Sequence, residues 1–209
     1  MGTTKDSEKT RKKLIESAGR LFSEKGFKGV TVRDIAKGAK THLSALNYHF
    51  RSKDALYREV LLEACRSDAV SENDRKQLLK LDPKKALFLL VKESLKVYIA
   101  RGPSNWRPVV LTRECRDPGP VFDEVVQNYF KPETDFLARI IGSAVEKSGQ
   151  EPRVRFAALS MIGLLETFGL YGRLMEAVAP GMADHLKKKD EMARQIVHLV
   201  IEAADPSPR

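Results

Sequence analysis

With 209 residues the chain has the length for one large domain or two small ones, and enough of it to bury a sizeable core. Its formal net charge is +9, and residues 1–60 carry 14 Lys/Arg against 7 Asp/Glu, a concentration that favours a polyanionic partner over a merely solubilising surface. No stretch reaches the ~18 apolar residues of a membrane span, and the N-terminus has no apolar signal core.

In chain order, Ser7 is placed to cap a first helix running to about Lys25, with Leu14, Ala18, Leu21 and Phe22 as its core stripe and Gly26 just past its end. Thr31 and Asp34 form a capping box for a short helix whose stripe is Val32, Ile35, Ala36 and Ala39. After the break Ala39-Lys40-Thr41, Leu43, Leu46 and Phe50 give a second short helix an apolar face. Two short helices joined this way make a helix-turn-helix unit, whose second helix enters the major groove. Its opposite face carries Ser44, Asn47 and Tyr48 with His49 nearby, groups suited to phosphates and base edges.

Ser52 then caps a linking helix with Leu56, Val60 and Leu61 on one side, and residues 67–80 read as a loop or frayed helix end. Asp82-Pro83 opens a helix to about Arg101, and Gly102-Pro103 breaks it. A helix from Trp106 stops near Asp117-Pro118, and a pattern from Pro120 to Ser148 is interrupted at Pro132, where a kink or restart is expected. Residues 152–178 are apolar nearly all round, so one side must be buried inside the monomer and the other elsewhere. A last helix from about Met182 to Ala203 has an equally broad stripe, and the tail 205–209 is expected to be disordered. No segment has the period of a strand.

There is no Gly-rich phosphate loop, His-Glu-x-x-His, Cys-x-x-Cys or Glu-x-x-His, so no catalytic constellation, metal or cofactor is expected. Cys65 and Cys115 lie far apart and read as reduced packing residues. Arg113-Glu114, a charged pair in an apolar context, is either an ordinary ion pair or the polar lining of an internal cavity. Tyr98, Trp106, Tyr129, Phe168 and Tyr171 are cavity or plain core, and Glu166 is a solvent-facing or a buried acid.

The run Thr31-Val32-Arg33-Asp34-Ile35-Ala36, with Ala39, Leu46, His49, Phe50, Ser52 and Lys53, resembles the DNA-binding signature of TetR-family bacterial repressors. The chain departs from it with Lys40 where Gly is usual, His42 where Ser is usual and Asn47 where Tyr is usual. Asn47-Tyr48-His49-Phe50 and the Arg113-Glu114 pair are similar to the CecR-like branch. The resemblance implies an all-α protein: a three-helix head with the helix-turn-helix in residues 1–50, and a larger helical effector-binding and dimerisation body in 51–204. It implies a cytoplasmic, non-enzymatic transcriptional regulator, a repressor released from operator DNA by a small molecule and nucleoid-associated when bound. The alternatives are a ligand-independent architectural DNA binder and a helical-bundle enzyme.

By the same resemblance Arg33 contacts bases, Leu43, Ser44 and Ala45 meet the groove, and Tyr48, His49 and Lys53 meet phosphates. Thr31 and Asn47 join the DNA-binding set, and His42 either caps or contacts. Tyr98, Trp106, Arg113, Glu114, Tyr129, Glu166 and Tyr171 are the candidate effector-binding residues, and residues 152–203 the homodimer interface.

Overall fold

A computed structural model describes residues 4–100 and 105–206. Among the described residues it is all helix, without a strand. The helices are α1 (Thr4–Lys25), α2 (Val32–Gly38), α3 (Leu43–Phe50), α4 (Lys53–Asp68), α5 (Glu72–Leu78), α6 (Pro83–Ala100), α7 (Trp106–Arg116), α8 (Phe122–Val125), α9 (Lys131–Ala144), α10 (Pro152–Leu170), α11 (Gly172–Val178), α12 (Met182–Lys187) and α13 (Lys189–Ala204). They form two compact units.

The first unit comprises residues 1–69 and 105–129. Here α1 packs on α2, α3, α4 and α7, and α4 packs on α7 and α8. Its core holds Leu14, Ala18, Phe22, Ile35, Leu46, Leu56, Tyr57, Val60, Leu61 and Val110, each essentially inaccessible to water. Phe22 meets Tyr57 edge-on at 4.8 Å between ring centres, the arrangement that aligns a ring's positive rim with its neighbour's negative face. The N-terminal helix begins at Thr4, before the Ser7 cap expected for it.

The second unit comprises residues 70–104 and 130–209. Its core is built where α6, α9, α10 and α13 meet, with Leu87, Val91, Leu95, Ile141, Val154, Met161 and Ile196 fully buried. Residues 67–80 are not a loop: α5 lies within them. Ser71 accepts from the Asp74 backbone N–H at 3.1 Å and donates to its carboxylate at 2.6 Å, and the Arg75 guanidinium pairs with Glu133 while standing 4.5 Å from the centre of the Phe136 ring. Together these outweigh the polar composition.

The helical run does not stop at Pro132, where the sequence predicts a kink or restart, but changes its winding just before it. The chain passes from α8 through a π-helical turn, Val126–Phe130, into α9 with the proline in its first turn. A residue without an N–H cannot continue the preceding α ladder, and widening the turn relieves the ring's clash with it. The apolar run 152–178 is divided at Tyr171 into α10 and α11, and the last helix is divided at Lys188 into α12 and α13. Cys65 is buried as expected, but Cys115 is exposed and is not a packing residue. The Gly102-Pro103 break and residues 207–209 of the tail lie outside the described residues.

Candidate nucleic-acid interface

The helix-turn-helix is built by local bonds. Thr31 Oγ1 accepts from the Asp34 N–H at 3.2 Å, while the Asp34 carboxylate accepts from the Thr31 N–H at 3.0 Å and the Thr31 hydroxyl at 2.6 Å. These bonds, that from the Thr31 side chain first, hold the Asp34 carboxyl below its usual range. The box is therefore complete above the ordinary aspartate pKa and is lost as the pH falls through the lowered one. Ser17 of α1 donates to the Ile35 carbonyl at 3.0 Å, and a Cβ on Gly38 would stand 2.4 Å from that hydroxyl. Glycine is what lets α1 and α2 approach there.

In the turn, Lys40 adopts φ +53°. A side chain in that left-handed region costs roughly 1–2 kcal/mol, which a glycine avoids. Of the two roles open to His42, the structure shows no cap: it stands at the N-cap of α3 and its side chain makes no capping bond. Its carbonyl accepts from Ala45 N–H at 3.0 Å instead.

Leu46 and Phe50 bury the inner face of α3. Leu43, Ser44, Asn47 and Tyr48 form its exposed face, Tyr48 at 79 % accessible, with Ala45 and His49 half-buried at its margins. Arg33 on α2 is exposed. Burial, and behind it the charge of Arg11, holds the His49 ring below the usual histidine pKa. Folding thus disfavours the imidazolium, so stability from this site falls as the pH drops through the unfolded histidine value.

Lys53 has a structural engagement that the sequence did not reveal. Its Nζ donates to the carbonyls of Phe27 at 3.0 Å and Val30 at 3.2 Å and stands 4.2 Å over the Phe27 ring. It ties α4 to the segment leading into α2. Lys53→Ala is expected to cost about 1–3 kcal/mol in urea denaturation, because two carbonyls lose a charged donor. A purely phosphate-binding lysine would leave stability unchanged.

The candidate effector residues divide between the units. In the first, Trp106 Nε1 donates to Glu16 at 2.8 Å, and Arg113 donates to the carbonyls of Ser23 at 3.2 Å and Glu24 at 2.9 Å, at the C-terminal end of α1. Glu114, fully buried, accepts from the Tyr57 hydroxyl and from the Gly119 N–H at 2.9 Å. Burial first, then the bond to Glu114, pushes the Tyr57 phenol above its usual range. Arg113 and Glu114 therefore serve different partners rather than each other. Tyr129 is half-buried. In the second unit Glu166 is half-buried and Tyr171 exposed, and the Tyr98 side chain lies outside the described ones.

Residues 14–60 match the sequence family described as "Bacterial regulatory proteins, tetR family". Residues 83–204 match "HTH-type transcriptional dual regulator CecR, C-terminal domain". Among curated proteins, the probable HTH-type transcriptional regulator YttP of Bacillus subtilis is 35 % identical over 82 residues, 34 % of this chain and 40 % of that protein. The biofilm operon icaADBC HTH-type negative transcriptional regulator IcaR of Staphylococcus aureus is 47 % identical over 47 residues, 22 % of this chain and 25 % of that one. The chain thus spans less than half the length of either relative.

Of solved structures, a TetR-family transcriptional regulator from Bordetella parapertussis is similar with a TM-score of 0.67 at 19 % identity, covering 92 % of this chain and 94 % of that one. AibR in complex with isovaleryl coenzyme A and operator DNA is similar with a TM-score of 0.61 at 17 % identity, covering 77 % and 85 %. At such identities the likeness is one of fold.

Proposed function

The chain belongs to the tetR family of bacterial regulatory proteins, with a C-terminal domain of the CecR type, and from that premise we propose that it is a DNA-binding transcriptional repressor released by a small-molecule effector. The observation that carries the reading is the α2–α3 pair: a capping-box helix-turn-helix whose second helix is anchored by Leu46 and Phe50 and shows Leu43, Ser44, Asn47 and Tyr48 to solvent. Residues 1–50 are the DNA-contacting head, and 51–204 bind effector and pair two subunits. The IcaR relative is a negative regulator by name, and AibR is captured with both an acyl-coenzyme A and operator DNA; both support the assignment. The expected compartment is the bacterial cytoplasm.

The proposed assembly is a homodimer through residues 152–203. On α10, Phe156 and Leu159 are 64 % and 58 % accessible, and on α13, which packs against α10, Leu199 is 58 % accessible. Two helices side by side with large apolar groups turned outward make a self-complementary patch, and a twofold interface uses the same patch twice. Such a dimer sets its recognition helices one DNA turn apart, roughly 34–36 Å. An effector that favours another spacing by ~5.5 kcal/mol moves the population from 1:99 to 99:1.

The test is selection of duplexes from a random library by the full-length protein, followed by titration of the selected sequence. Arg33→Ala is expected to cost about 1–3 kcal/mol at particular base pairs and to relax preference there. A uniform loss across all sequences would move Arg33 to a phosphate role, and recovery of no duplex at all would end the proposal.

A further inference from the structure

Lys9, Lys12, Lys13 and Arg20 lie along one side of α1, and with Lys40 of the helix-turn-helix turn they line a groove of about 860 Å³. Two carboxylates, Glu8 and Glu16, share it. Glu16 is already engaged, accepting from the Trp106 indole at 2.8 Å and from Arg107 at 2.6 Å. None of the five cations forms an ion pair among the described residues. Five cations against two carboxylates leave the trough net positive, which favours an anionic occupant. The fifth comes from a residue held at φ +53°, where glycine would be free of strain. A strained backbone that adds a cation to a groove is an observation that asks for a use.

We propose that this groove is a second phosphate track, taking the sugar–phosphate backbone of one DNA strand beside the site that α3 reads. The inference rests on the DNA-binding reading above and extends its footprint. Three features favour a duplex over a compact anion. The cations are strung out rather than convergent: from Lys9 to Arg20 the helix rises about 16 Å, longer than one compact anion and suited to successive phosphates of a strand. Gly38, Ala39 and Lys40 line the groove, so it runs without interruption into the turn that precedes the recognition helix. Its inner surface, with Leu21 and Ala39 among the lining, suits aliphatic lysine stems whose heads rise to meet a backbone.

The experiment uses the full-length protein with two duplexes carrying the same selected sequence, one trimmed to that sequence and one extended on both sides. The variants are Lys12→Gln/Lys13→Gln and Lys40→Gly, with Arg33→Ala as a control, and each is also melted thermally. Wild type is expected to bind the extended duplex more tightly. In both groove variants the slope of log affinity against log salt should fall by about 0.9 per lost contact, and the advantage of the extended duplex should shrink with base preference unchanged. Lys40→Gly should do this without lowering the melting temperature, which separates a lost ammonium from a damaged fold. Arg33→Ala should change base preference and leave the flank dependence alone.

The track is overturned if wild type binds the selected duplex but the groove variants keep its salt slope and flank dependence. It is equally overturned, in favour of a small-anion site, if pyrophosphate raises the melting temperature of wild type and not of Lys12→Gln/Lys13→Gln while the slopes stay equal. Failure of wild type to bind any duplex overturns the functional reading itself, a distinct result.

Discussion

Trp106→Ala is expected to destabilise the first unit by about 3–5 kcal/mol, the range for removing a large buried aromatic. The indole is 4 % accessible and lies so close to α1 that a Cβ on Gly19 would stand 2.4 Å from its ring. The Arg107 guanidinium covers it at 4.6 Å, and Glu16 takes its N–H. Truncation therefore opens a cavity and strips Glu16 of one donor. Urea denaturation, with hydrogen exchange of α1 and α4 amides as the local readout, measures the loss. A variant of wild-type stability that had lost its response to an effector would return Trp106 to the role of cavity lining.

The other large effect concerns assembly. Wild type is expected to sediment as a dimer at micromolar concentration, and Phe156→Glu/Leu159→Glu as a monomer of unaltered helicity. Burying an unpaired carboxylate costs about 3–5 kcal/mol, which is roughly two to three and a half orders of magnitude in dissociation constant for each site. Operator affinity should fall with it, since one head alone makes half the contacts. A double variant that stays dimeric would place the interface on another face.

The parts legible in the sequence were those whose cause is local. Thr31 and Asp34 are three residues apart, and their reciprocal bonds need nothing from elsewhere in the chain. The Leu46/Phe50 spacing fixes which side of α3 faces inward, and Pro132 lacks its N–H in any context. What escaped has distant partners. Nothing near Lys53 in sequence says that its ammonium meets carbonyls at residues 27 and 30, and nothing near Arg113 says that it closes the end of α1 some 90 residues back. Arg113 and Glu114 looked like a pair because they are adjacent, yet successive helix residues do not face each other. For α5 the signal was present in Ser71-x-x-Asp74, and the polarity around it obscured it. Lys40 was visible as a departure from glycine, but its positive φ and its place in the groove depend on how α1 and α2 pack.

The membership of α7 in the first unit also bears on how such proteins recombine. The surface of α1 that receives Trp106 and Arg113 is completed by a helix encoded more than 35 codons beyond the end of α4. A single crossover after α4 would therefore pair α1 with a foreign counterpart of α7, so that Gly19 and the α1 carbonyls meet side chains from another chain's packing. Chimeras that exchange DNA specificity should succeed when α7 travels with the head, or when only α2 and α3 are exchanged. Inheritance of new operators by shuffling would then favour small edits in the recognition helix over transfer of the head as a continuous cassette.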